Sequence, residues 1–153
     1  MNAAGAIDLA RASGIALTLE GEGIRYRAPA DSPIGALDQL SANKAEVIEL
    51  LEAEHGGLTA ARVITLAEIA GYRLSLGVDE TPMVVAPANR SLIIENIVEK
   101  HQARIGAWLR YERDAVDRWI GRINLRQSRS QNDCGRQTLS TDSETAPGFG
   151  RAI

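Results

Sequence analysis

Apolar residues recur three and four positions apart at the start of the chain, where Ala3, Ala6, Ile7, Leu9 and Ala10 form one stripe. That spacing predicts a helix through residue 13, and Gly14 stands where a left-handed residue ends one. From Ala16 the period changes to two: Leu17 and Leu19 fall on one side, Thr18 and Glu20 on the other. Gly21-Glu22-Gly23 offers a tight reversal, and residues 24–27 resume the alternation with Ile24 and Tyr26 opposite Arg25 and Arg27. The pair reads as a β-hairpin. Ser32-Pro33 offers a capping hydroxyl and a proline at the first helical position, predicting a short helix through Leu37 and Leu40. Asn43 is a candidate cap for a further helix carrying Val47, Ile48, Leu50 and Leu51, which Gly56-Gly57 terminates.

The same order then returns. Val63, Leu66 and Ile69 make a helical face after the candidate cap Thr59, Gly71 takes the place of Gly14, and Tyr72, Leu74 and Leu76 follow as Ile15, Leu17 and Leu19 do. The offset is 57 residues at Gly14 and Gly71, and 58 where Ala28-Pro29 reappears as Ala86-Pro87 and Leu50-Leu51 falls opposite Trp108-Leu109. A repeat of this length suits a minimal domain, and two such units are expected to bury surface against each other. The second reversal lacks glycine and precedes Pro82, which predicts a looser hairpin with an edge strand over residues 82–85. Ser91 and Asn96 flank an expected short helix with Leu92, Ile93, Ile94 and Ile97 on its buried side. A longer helix is expected from about Gln102 to about Leu125. Its stripe of Ile105, Leu109, Val116, Ile120 and Ile123, near three and a half residues apart, calls for a partner surface. From Gln127 the residues turn to Ser, Gln, Asn, Thr, Asp and Gly, a composition that predicts a disordered tail. The expected fold class is α+β: residues 1–57 and 58–126 form two helix-hairpin-helix-helix units, and residues 127–153 form the tail.

Charge separates the two copies. Residues 1–57 carry four Lys or Arg against nine Asp or Glu, a net of −5, while residues 58–124 and 125–153 each net +1, giving −3 for the 153-residue chain. The acidic first copy argues against phosphate-backbone binding there. A lone cysteine, Cys134, offers neither an internal disulfide nor metal-ligand spacing and favours a reducing, cytoplasmic setting. The first 14 residues carry no secretory pattern, and no apolar run predicts a membrane span.

A series of residues through the first copy resembles the N-terminal docking domain of the TubC type, found at the start of some nonribosomal peptide synthetase and hybrid polyketide synthase subunits. The series is Leu9, Gly14-Ile15, Leu17, Glu20-Gly21, Ile24-Arg25, Ala28-Pro29, Leu37, Leu40, Asn43-Lys44-Ala45-Glu46-Val47 and Leu50-Leu51, covering about the first third of the chain. The resemblance implies one helix, a β-hairpin and two helices, usually as a homodimer. It implies too that the second hairpin strand, Ile24, Arg25, Tyr26 and Arg27, receives a short acidic C-terminal segment of a synthetase subunit, with both arginines pairing its side chains. An edge strand presents unpaired N–H and C=O groups that an extended peptide completes. This chain departs from the family in having no paired-histidine condensation motif, since its two histidines, His55 and His101, are far apart. In the second copy Met83-Val84-Val85 replaces Arg25-Tyr26-Arg27, so the same ligand is not expected there.

Each candidate residue also has an ordinary reading. Arg25 and Arg27 fit the polar outer face of a half-buried hairpin, and Tyr26 fits packing on the helices better than stacking on a ligand. Trp108 and Trp119, eleven residues apart, suit either one aromatic face or a division between core and cover. With Ile105, Leu109, Val116, Ile120 and Ile123, Trp119 makes the expected interface of a pseudo-dimer within the chain or a homodimer. No nucleophile, metal or cofactor arrangement surrounds His55, His101 or Cys134, so no catalytic residue is expected. Gly21-Glu22-Gly23 lacks the later glycine and lysine of a phosphate loop. The competing class is a nucleic-acid-associated accessory protein of a mobile element or phage, acting through Arg104, Arg110, Arg113, Arg118 and Arg122 of the last helix. Glu112, Asp114 and Asp117 are interleaved among them, which fits a solvated helix face.

Overall fold

A computed structural model of the chain describes residues 1–140, with side chains through residue 129. Asn2 opens the first helix, α1 (Ala3–Ala12), by accepting a hydrogen bond from the Gly5 amide at 2.9 Å. Its apolar stripe, Ala3, Ala6, Ile7 and Ala10, is buried. Gly14, at φ +77°, turns the chain into β1 (Ala16–Glu20), which pairs antiparallel with β2 (Gly23–Arg27) so that Glu20 faces Gly23 and Ala16 faces Arg27. Only Gly21 of the Gly-Glu-Gly reversal takes positive φ, at +60°, as the first central residue of a II′-type hairpin turn requires. Next come α2 (Ile34–Ala42) and α3 (Lys44–Glu54), and the second copy repeats the order with α4 (Ala60–Ile69), β3 (Arg73–Leu76) and β4 (Pro82–Val85). The fold is α+β, with two separate two-stranded antiparallel sheets among the described residues.

Backbone geometry matches between the copies. Gly71 has φ +89°, close to that of Gly14. A Cβ on Gly14 would stand 3.3 Å from Pro29, and one on Gly71 3.3 Å from Pro87. In both places the glycine supplies the left-handed turn and lets the proline of the following loop lie against it.

Two expected caps act otherwise. Asn43 makes no side-chain bond to the start of α3; its Nδ2 donates to the Gln39 carbonyl at 2.9 Å and so closes the end of α2. Ser32 does not cap α2 either, and its Oγ is buried without a hydrogen-bond partner. Thr59 does cap α4, accepting from the Arg62 amide at 3.3 Å.

The largest difference from expectation lies in the last helix. The short helix at Leu92 and the long one from Gln102 are a single element, α5 (Leu92–Ser140). The first copy breaks between α2 and α3 at Asn43, whereas the position 58 residues later is His101, inside a stretch without glycine or proline. Residues 127–140 are helical too, where a tail was expected, because no glycine or proline interrupts residues 122–134 and Leu125, Arg126, Gln127 and Arg129 are good helix formers. Residues 141–153, the rest of the expected tail, lie outside the described residues.

One apolar core draws on both copies. Ile7, Ile15, Val47 and Leu51 of the first and Val63, Tyr72, Ile93, Ile94, Ile97 and Ile105 of the second belong to the same buried cluster. Each large aliphatic side chain so buried contributes about 1.5–3 kcal/mol. Met1–Tyr111 accordingly forms one compact unit, and the chain from Glu112 onward belongs to another.

Polar contacts also cross between the copies within the first unit. The Asp8 carboxylate accepts from Ser91 Oγ at 2.6 Å and from the Ile93 amide at 3.1 Å, capping α5 from the opposite copy. Buried His101 meets the Ala53 carbonyl through Nε2 at 2.8 Å, and Lys100 donates to the Glu54 carbonyl at 2.6 Å. The Lys100 bond satisfies a carbonyl that the end of α3 leaves open, and His101 adds to the Ala53 carbonyl, which already accepts from the Gly56 amide at 2.9 Å.

Candidate functional site: an open hairpin edge and its groove

The first sheet holds β1 and β2, and among the described residues no further strand covers the outer edge of β2. Ile24 is partly buried on that strand, while Arg25, Tyr26 and Arg27 are exposed. Tyr26 retains 54% exposure, so it is not packed away on the helices as expected. The two-stranded sheet meets the helices chiefly through β1, against α1 and α3. Tyr26 forms one wall of an open groove of about 330 Å³ with Leu17, Ile24, Leu37 and Leu40, rimmed by Asp38, Ser41 and Lys44.

Arg25 reaches Glu20 at 3.1 Å, both side chains being well exposed at 71% and 61%. Pairs of this kind are worth about 0–1 kcal/mol and exchange readily for another carboxylate. Among the described residues no ion pair involves Arg27. The groove thus offers apolar walls with Asp38 and Lys44 at its rim, while Arg25 and Arg27 stand on the opposite face of the same strand edge. Such a surface can bind an extended segment that carries apolar and acidic side chains. Lys44 and the pair Leu37 and Leu40 were not assigned to the site from sequence. Their only signal was the placement of Leu37 and Leu40 one turn apart on the helix after the hairpin.

The second copy has the corresponding groove, of about 310 Å³. Ile24, Tyr26, Leu37, Leu40, Ser41 and Lys44 are matched, 58 positions on, by Pro82, Val84, Glu95, Val98, Glu99 and Gln102. Its chemistry differs. Arg90 binds Glu95 at 2.6 Å, and that hydrogen bond, more than the charge of Arg90, holds the Glu95 carboxyl below its ordinary pKa. Tyr72 Oη accepts from the Ser91 amide at 2.7 Å, and burial pushes its phenol above its ordinary value. Exposed side chains on this strand are the apolar Met83, Val84 and Val85.

The expected interface stripe divides between the two units. Ile105 is fully buried and Leu109 packs against the core, both serving the first unit. Trp108 joins them and lies 5.9 Å from Tyr111, ring centre to ring centre. In the second unit Val116, Trp119 and Ile120 are exposed and Ile123 is partly buried.

His55 Nδ1 meets the Leu51 carbonyl at 2.7 Å and, like His101, serves the end of α3. Among the described residues no group of three or more His, Cys, Asp or Glu is placed to hold a metal ion. Nor is any helix among them long and apolar enough to cross a membrane. No family model, curated protein or solved structure matches the chain.

Proposed function

We propose that the protein is a non-catalytic docking module that receives a short acidic segment of a partner protein along β2. The open outer edge of β2, flanked by Arg25 and Arg27 and backed by an apolar groove, carries this reading. The incoming segment adds a strand to the sheet through main-chain hydrogen bonds. Alternate side chains enter the groove between Tyr26 and Leu37, and its carboxylates meet Arg25, Arg27 and Lys44. The resemblance of the first copy to TubC-type docking domains favours a C-terminal segment of a synthetase subunit as the occupant. A cytoplasmic setting belongs to the same reading and rests on the lone Cys134.

Calorimetric titration with an acidic, extended peptide tests it. Arg25→Glu/Arg27→Glu should reduce affinity at least tenfold with the thermal midpoint within a few degrees of the parent, because both side chains are exposed. Equal affinity in parent and variant removes the assignment.

A further inference from the structure

The arginines of α5 fall into two groups. Arg104 donates to the Gly56 carbonyl at 3.4 Å, Arg110 to the Glu80 carbonyl at 3.2 Å, and Arg113 pairs with Asp114 at 3.2 Å. All three are committed within the protein. Beyond them the sequence from Arg118 to Arg129 contains four arginines and no Asp or Glu, since Glu112, Asp114 and Asp117 all precede it. Arg118, Arg122, Arg126 and Arg129 are exposed, and among the described residues no ion pair engages them.

Their spacing of four, four and three residues puts them within about a quarter turn of one helix face and along about 16 Å of its axis. Val116, Trp119, Ile120 and Ile123 lie on a neighbouring arc of the same helix, so the basic face is separate from the apolar one. Four like charges aligned on one face repel one another and lower the stability of the free helix. A polyanion with regularly spaced charges relieves that repulsion, and one nucleic-acid strand presents a phosphate about every 3.4 Å of axial rise.

We propose that Arg118, Arg122, Arg126 and Arg129 form a phosphate-contacting stripe that binds the backbone of a nucleic acid. Binding is independent of base sequence, because guanidinium groups aligned along a strand read charge spacing and not base edges. It uses the second compact unit alone and shares no residue with the β2 groove. Each function can therefore fail without the other.

The test is fluorescence anisotropy of the full chain with a 20-base-pair DNA duplex and an RNA duplex of equal length, from 50 to 300 mM salt. Binding to at least one duplex is expected, with a log–log salt slope of about −3 to −4 for four phosphate contacts. Arg122→Gln should make that slope shallower by about 1, and the fourfold Arg→Gln variant should lose at least tenfold in affinity at the lowest salt. Glutamine is a good helix former, so circular dichroism should show unchanged helix content. Arg25→Gln/Arg27→Gln, the control on β2, should bind nucleic acid like the parent. Failure to bind either duplex at 50 mM salt, equal binding by the fourfold variant, or binding only to phosphatidylserine vesicles overturns the proposal.

Discussion

The groove beside β2 and the groove beside β4 are built from the same positions 58 residues apart, and they enclose nearly the same volume, about 330 and 310 Å³. What differs is the chemistry. Beside β2 the lining is apolar with one acidic and one basic side chain, Asp38 and Lys44, at the margin, whereas beside β4 Glu95 and Glu99 stand where Leu37 and Ser41 stand in the first copy. The two copies also differ in what holds them. α5 runs on past the end of the repeat, and Gly106 admits the Pro82 ring so closely that a Cβ there would come within 2.9 Å of it. Arg110 reaches the Glu80 carbonyl in the same hairpin. The helix-to-hairpin plan is thus common to both copies, while Gly106 and Arg110 tie the second hairpin to α5.

Truncating the common core should produce the largest effect. Ile7→Ala removes a fully buried side chain of the first copy and is expected to cost about 2–5 kcal/mol. If the copies are one cooperative unit, urea unfolding in a Trp119→Phe background, followed by the fluorescence of Trp108 in the second copy, should shift as far as the far-ultraviolet signal. Two separate transitions would instead show the copies unfolding independently.

Removing the cap that joins the copies comes next. Asp8→Ala leaves Ser91 Oγ and the Ile93 amide without their carboxylate partner, at a cost of about 1–3 kcal/mol. Its counterpart 57 residues on, Thr65, bonds only within its own helix, to the Ala61 carbonyl at 3.0 Å. Thr65→Ala should therefore change stability by no more than about 0.5 kcal/mol. Equal costs at the two sites would erase this asymmetry.

Gly14→Ala and Gly71→Ala probe where the copies agree. Both force an L side chain into positive φ against a proline, and each should cost about 1–2 kcal/mol by thermal denaturation.

The smallest expected effect depends on pH. Arg11 binds the Glu54 carboxylate through two nitrogens at 2.8 and 2.7 Å, and this hydrogen bonding holds the Glu54 carboxyl below its ordinary pKa. A lowered folded-state pKa means the contribution is complete above the unfolded value of about 4.3 and is lost as pH falls through the folded one. Both side chains are partly exposed, so the amount is at most about 1 kcal/mol. Denaturant midpoints of the parent should therefore fall more than those of Glu54→Gln between pH 5 and pH 3; parallel curves would contradict the assignment. The second copy has Glu68 and Glu112 at these two positions, where no such pair can form.

Local chemistry made much of the fold legible. The switch from a three-to-four spacing to strict alternation at Gly14 and again at Gly71 marked both helix-to-strand transitions, because that glycine is needed for the turn itself. Gly21 marked the first hairpin for the same reason. The break between α2 and α3 was legible at Asn43, although its side chain serves the helix before it and not the one after. Treating the second copy as a replica led to an expected break near Gln102, where residues 98–101 carry no breaking signal at all. Contacts between the copies, such as Asp8 with Ser91 or His101 with Ala53, join residues 83 and 48 positions apart. No periodicity announces them. At the candidate site the alternation of residues 24–27 placed Arg25 and Arg27, but the apolar wall from Leu37 and Leu40 exists only once α2 lies against the hairpin.

The most direct measurement is a residue-resolved nuclear magnetic resonance titration of isotope-labelled protein with an acidic extended peptide. Shifts confined to residues 24–27 and to Leu37, Leu40 and Lys44, with Pro82–Val85 unmoved, are the predicted result. Equal shifts on both hairpins, or none along β2, would contradict it.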